Sequence, residues 1–328
     1  MNPIAYRVTK HTIPGWVPFN EKEPRGIAYE TDTHFVHVFG RDRGLWVVSI
    51  GLTATEAKSG TLREWVDRTF GAQDIVELKH APGHATSGVW RPGLYFDEEI
   101  QTALAATPHD IRLAEQALLL LIHRLDELLH FVEPTSASLS TYSHKTRELL
   151  ILACTEAENC WGNFLRVAGV VPPRRGFTTN DYVKLLAPLR LAEFSVSLPR
   201  YAAVPLMLPF ARWSSNDPTA SIPWYSAYNK TKHDRTSHFD AASLENCILA
   251  VAANIVLFAV RFGPFRLFNG AGSLPAFVNE LFSLELTNCD PTSFYVPLVT
   301  LPANARRDLI CYEAKDSVQT WVANPLIL

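Results

Sequence analysis

Hydrophobic residues change their spacing near residue 105, and the chain divides there. Before that point, runs at 26–29, 35–39 and 45–50 are rich in Val, Ile, Phe, Tyr and Trp. Turn formers separate them: Thr31-Asp32-Thr33, and Gly40-Arg41-Asp42-Arg43-Gly44. Short β-prone runs joined by polar turns predict an antiparallel meander. Leu62, Trp65, Val66 and Phe70 then recur at helical spacing, Gly71 supplies a stop, and 74–78 reads as a returning strand. Residues 1–24 carry Pro3, Pro14, Pro18 and several charges and read as an irregular arm.

Beyond residue 105 the period lengthens. Over 110–132, apolar positions fall at Ile111, Ala114, Leu118, Leu121, Ile122, Leu125, Leu128, Leu129 and Val132. The opposite stripe holds Arg112, Glu115, Gln116, His123, Asp126, Glu127 and His130, which makes the helix amphipathic. A second long helix spans 143–168 and ends at Gly169; it is apolar all round at 149–153, as a buried central helix would be. A short loop between two long helices predicts an antiparallel pair. A short helix at 181–186 follows, with Thr178 or Thr179 as its cap. Pro188, Pro199, Pro205 and Pro209 make 188–222 an extended connection with a strand at 191–198. A helix at 241–262, a partly helical stretch at 264–290 and strands at 294–299 and 309–313 complete the chain.

The resulting fold class is mostly α with an α+β N-terminal part. A small mixed domain (1–105) precedes an antiparallel helical bundle (106–265), and a strand-containing C-terminal extension (266–328) follows.

Composition narrows the function. The 328 residues are 47% hydrophobic and 19% charged, with a net charge of −3. No global basic field exists, so a nucleic-acid partner needs a local cationic patch. Five cysteines, odd in number and without a Cys-x-x-Cys pair, fit a reducing cytoplasm. The longest apolar run, 248–262, is interrupted by Asn254 and Arg261 and is shorter than the ~20 residues a membrane span requires. Neither a signal segment nor a membrane partner is expected. The sequence has no Gly-x-Gly-x-x-Gly, P-loop, Gly-x-Ser-x-Gly or His-Glu-x-x-His pattern, so no cofactor is expected.

The densest chemistry lies at 224–235, which reads Trp-Tyr-Ser-Ala-Tyr-Asn-Lys-Thr-Lys-His-Asp-Arg. With Pro223 in the first turn, helical spacing places Tyr225, Asn229, His233 and Thr236 on one face. Trp224, Tyr228, Lys232 and Arg235 fall on the adjacent one. Histidine titrates near neutrality and an amide can orient it. His233, Asn229 and Lys230 are therefore the catalytic candidates, and Tyr225, Lys232, Arg235 and Arg147 the ligand-binding ones. The structural alternative pairs Lys232 and Arg235 with Glu156 and Glu158 on the central helix, because buried charges must be paired.

Three other groupings resemble metal sites. His123, Glu127 and His130, near His144 and Glu148, are better read as a solvated helix face. His34 and His37 point to opposite sides of a strand. His80 and His84, near Glu77, flank a Pro-Gly turn. No metal site is expected.

The 228–235 segment follows a long helix carrying Arg147-Glu148-Leu149-Leu150 and precedes an apolar helix. Over about 108–263 this resembles the HEPN-like helical domains. The resemblance implies a bundle of four or five helices, frequent homodimers, and RNA or nucleotide binding in conflict or stress systems (toxin or antiphage). In active members it implies metal-independent RNA cleavage by an Arg and a His with four to six residues between them. Here the corresponding positions before His233 hold Tyr228, Ala227 and Ser226, so the family's Arg is absent. The alternative function is a non-enzymatic interaction module in which the motif is a structural lock.

Overall fold

The computed structural model describes residues 2–10, 25–41, 45, 47–94, 97–270, 272–301, 305, 307–312 and 318–328, without the side chains of 39–41, 47–52, 97–98, 233, 235 and 311–312. In chain order the elements begin with β1 (Ile4–Arg7), β2 (Arg25–Glu30), β3 (His34–Arg41), β4 (Val47–Ala57), α1 (Leu62–Phe70), β5 (Gln73–Glu77) and β6 (His84–Thr86). Next come α2 (Asp97–Ala103), α3 (Pro108–Phe131), α4 (His144–Val167), α5 (Thr179–Tyr182), β7 (Phe194–Ser197), α6 (Pro223–His233) and α7 (Arg235–His238). The last are α8 (Leu244–Phe262), α9 (Phe265–Phe268), α10 (Ser273–Leu281), β8 (Ser283–Leu286), β9 (Ile310–Tyr312) and β10 (Val322–Asn324).

Two compact units form. The first takes Met1–Ala105 and Asn288–Asn324, the second Ala106–Thr287 and Pro325–Leu328. The stretch after 265 is therefore shared between them rather than standing as one extension.

The first unit is built on an antiparallel sheet of order β5-β1-β2-β3-β4-β9. The meander at β2–β4 follows the strand-like runs. The arm does not stay irregular throughout, because Ile4–Arg7 pairs with β2 and β5; residues 11–24 lie outside the described ones. Alternation along the strands sends Tyr6, Ala28 and Phe35 to one face, against Trp65, Val66 and Phe70 of α1. Helix α1 starts with a Thr61–Glu64 capping box and ends at Gly71, whose φ of 60° is the left-handed conformation that glycine accepts without strain. Ala5, Ile27, Tyr29, Val36 and Val38 face the other way, against Phe294, Val296 and Val299. The sequence pattern predicts a strand at 294–299. That segment instead packs on the sheet face outside any strand; Val299 N–H donates to Tyr29 Oη of β2 at 3.0 Å, and its isolated bridge to Val318 lies outside the named strands. Pro297 removes a ladder donor, and Tyr295 N–H is committed to Pro92 O at 2.8 Å.

A polar pair sits inside this sheet. Tyr6 Oη is hydrogen-bonded to His37 Nδ1, and the imidazole stacks on Phe70 with ring centroids 3.8 Å apart. A Cβ on Gly26 would lie 2.6 Å from His37 Cε1 and 2.8 Å from Tyr6, so glycine there makes room for the pair. Burial lowers the His37 pKa and raises that of Tyr6, which keeps both neutral.

The second unit packs α3, α4, α6 and α8 against one another. Thr107 caps α3, a Ser143–Thr146 box caps α4 and Ser243 caps α8. Helices α3 and α4 run antiparallel: Glu127 lies 3.9 Å from Lys145 at one end, and Asp110 and Val167 line a common cleft at the other. Helix α8 runs parallel to α4, which departs from the all-antiparallel expectation. Cys247 Sγ donates to Thr146 O at 3.0 Å, and Asn254 Nδ2 to Ala153 O at 2.9 Å. The long connection between α4 and α8 permits that direction. Helix α8, 19 residues, is long and apolar enough to cross a membrane, yet most of it is buried inside the protein. A burial pattern of this kind marks a core helix.

Candidate functional site

Helix α6 starts at Pro223, whose missing N–H is no loss in a first turn. It stops at His233, because Asp234 leaves the helical conformation (φ −138°) and caps α7 by accepting from Ser237 N–H at 3.1 Å. The face drawn through Tyr225, Asn229, His233 and Thr236 is therefore broken at Asp234, and Thr236 belongs to another helix. At the same end, Arg147 Nη2 donates to Thr231 O at 3.2 Å, closing one of the carbonyls that a helix C-terminus leaves open.

Tyr225, Tyr228 and Lys232 share the side of α6 that meets Glu158 of α4. Tyr225 Oη donates to Glu158 Oε1 at 2.5 Å and Tyr228 Oη to Glu158 Oε2 at 3.5 Å. Lys232 Nζ donates to Tyr228 Oη at 2.7 Å and lies 4.9 Å from that ring's centroid. A carboxylate, two phenols and an ammonium thus form one connected network, leading from a partly buried carboxylate to an exposed lysine. Burial, the hydrogen bond to Glu158 and its charge raise the Tyr225 pKa. The hydrogen bond that Lys232 donates to Tyr228 raises the Lys232 pKa. Both shifts move away from neutrality, so neither group is tuned to shuttle a proton near pH 7.

One turn beyond Glu158, the fully buried Trp161 anchors an aromatic cluster. Its ring centroid lies 5.0 Å from Trp213, 5.1 Å from Tyr182, 5.4 Å from Tyr225 and 5.9 Å from Trp224. Trp224 Nε1 donates to Pro209 O and Trp213 Nε1 to Pro218 O, so the proline-rich connection is tied down by indoles.

The predicted site residues separate. Asn229 Nδ2 turns back to Tyr225 O at 3.2 Å, so its amide serves its own helix. Lys230 is exposed at the end of α6. The side chains of His233 and Arg235 lie outside the described residues. Glu156 and Glu158 cannot both face α6, since two residues along a helix turn by about 200°. Glu158 meets α6, whereas Glu156 lines a cleft with α3 and α8. The structural alternative holds in one part: Lys232 reaches Glu158 through Tyr228 rather than directly.

Among the metal-like groupings, His123 packs on Phe277 with centroids 4.0 Å apart, and Glu127 pairs with Arg124 at 3.1 Å. His80 lies edge-on to Tyr295. Burial, with His84 and Lys79 nearby, lowers its pKa. No three His, Cys, Asp or Glu side chains among the described residues form a metal-ligand group.

Sequence reasoning treated Glu158 only as a charge to be neutralised and passed over Trp161. The readable signal was their spacing of three on a helix otherwise apolar on that side. Compared with known proteins, the chain matches no family model, no curated protein and no solved structure.

Proposed function

We propose that the helical unit is a non-enzymatic HEPN-like module, with α3, α4, α6 and α8 as its bundle, that binds RNA or a nucleotide through phosphate groups at the C-terminal end of α6. A role in conflict or stress responses, and homodimers through the same unit, belong to this reading. One observation carries it: two polar groups of the motif are committed within the fold while its lysines face solvent. Tyr225 is bonded to Glu158 and Asn229 to its own helix, while Lys230 and Lys232 are exposed. The motif is then a lock that fixes α6 on α4, and its exposed cations are the contact surface. Lysines contact phosphate without reading bases, so the binding is sequence-tolerant and salt-dependent.

Fluorescence anisotropy with single-stranded RNA tests this. Lys230→Ala with Lys232→Ala should weaken binding about ten-fold and reduce the slope of log affinity against log salt by about 1–2. Unchanged affinity and slope would sink the proposed surface. RNA cleavage in EDTA that disappears in His233→Ala at unchanged stability would replace the non-enzymatic reading with metal-independent catalysis.

A further inference from the structure

A cleft of about 380 Å³ opens between α3, α4 and the end of α8, and none of its lining residues belongs to α6. Its walls differ in chemistry. Helix α3 contributes Leu113, Ala114 and Ala117, an apolar strip whose two alanines leave the space open. Helix α4 contributes Glu156, Asn159, Asn163 and Arg166, a polar stripe at spacings of three and four. Arg261 of α8 is at the floor, only 9% exposed, with its guanidinium 5.1 Å from the Phe262 ring centroid. Its position continues the parallel register of α8 on α4. Cys247 bonds to Thr146 and, seven residues on, Asn254 to Ala153; seven further on come Arg261 and Cys160.

Charge and length select the occupant. Arg166 and Arg261 are balanced by Asp110 and Glu156, so a polyanion meets carboxylates and a polycation meets guanidinium groups. A ligand carrying one charge of each sign satisfies both. Glu156 and Arg166 are ten residues apart, about 15 Å along the helix axis, and their side chains shorten that gap. This is too far for the two charges of one amino acid. A tripeptide spans roughly 10 Å when extended. Asn159 and Asn163, one turn apart, repeat at about the spacing of alternate peptide groups; Asn163 Oδ1 accepts from Arg166 Nη1 at 2.8 Å, which fixes the guanidinium and leaves the Asn163 amide N–H groups as donors, while Asn159 offers a donor and an acceptor.

We infer that this cleft binds a short peptide with free termini and apolar side chains. Its ammonium lies at Glu156, its carboxylate at Arg166, its backbone along the two asparagines and its side chains on the α3 strip. The site is independent of the RNA reading and stands or falls separately.

Isothermal titration calorimetry on the full chain tests it with a Leu-Ala-Leu tripeptide. Comparators are the N-acetylated and C-amidated forms, free leucine and adenosine monophosphate. The free tripeptide should bind best, and blocking either end should cost about ten-fold or more, the loss expected of one charge-assisted contact. Glu156→Gln should remove the discrimination against the acetylated form only, and Arg166→Ala that against the amide only. Neither residue is in the buried core, and an unchanged thermal midpoint for each variant shows that the fold is kept. Blocked peptides binding as well as the free one, preference for the nucleotide, or no tripeptide binding at millimolar concentration would each overturn the assignment.

Discussion

The two units bury polar chemistry in opposite ways. In the sheet unit, Tyr6 and His37 share a hydrogen bond in a fully buried pair that burial holds neutral. In the helical unit, Glu158, Tyr225, Tyr228 and Lys232 form an open chain that ends in an exposed ammonium. A buried neutral pair specifies packing. An open chain couples a core helix to a cation that a ligand can reach. The difference follows from geometry. A central strand has neighbours on both sides and covered faces, whereas the end of α6 is free on one side, so a long lysine stem can carry its charge outward.

Removing the acceptor is the strongest way to break this contrast. Glu158→Ala takes the partner from the buried Tyr225 hydroxyl and weakens the hold on Tyr228. It should destabilise the helical unit by about 2–3 kcal/mol. Hydrogen exchange should lose protection in peptides of α4 and α6 while those of β2 and β3 are unchanged. Equal loss in both units, or none, would mean that the network is not what holds α6.

A change in pH should separate the units with smaller effects of opposite sign. The folded-state pKa of His37 is lowered, so below the free value of about 6.5 the unfolded chain takes up a proton that the folded one refuses. Stability of the sheet unit is therefore fully present above that value and falls as the pH drops below it. His37→Phe should flatten this acid limb, at a cost near neutrality of about 1 kcal/mol for the orphaned Tyr6 hydroxyl. In the helical unit the Tyr225 and Lys232 pKa values are raised, so the folded chain keeps protons that the unfolded one loses. Its stability is present below about pH 10 and declines as the pH rises further. Urea midpoints across pH, read by exchange in each unit, check both limbs; a Tyr225→Phe variant with an unaltered alkaline limb would contradict the second.

The smallest effect is expected at the open end. Lys232 is exposed, so Lys232→Met should change stability by at most ~0.5 kcal/mol. A larger loss in the same exchange measurement would show that the ammonium is a structural member of the network rather than its outlet.

Much of the fold is legible in local pattern. Helices α1, α3, α4, α6 and α8 and the meander strands β2 and β3 lie close to where periodicity and stop residues place them. Strand β1 was not legible, since four residues after Pro3 carry too little pattern to separate a strand from an arm. The candidate site was half legible. Tyr225, Tyr228 and Lys232 recur on one side of a helix in the sequence itself, but Asn229 bonding to its own backbone and Arg147 closing the end of α6 depend on geometry that no spacing reports.

The sequence by itself determined most helices and the meander strands, the start of α4 at Ser143 and the end of α1 at Gly71, because those choices rest on contacts within a few residues. Only the tertiary structure decided that 288–324 completes the sheet unit, that α8 runs parallel to α4, and that Glu158 rather than Glu156 receives the tyrosines. Each of those outcomes is a choice of partner across tens of residues. Many pairings share the same local pattern, and only the packed chain distinguishes the one that satisfies its buried polar groups.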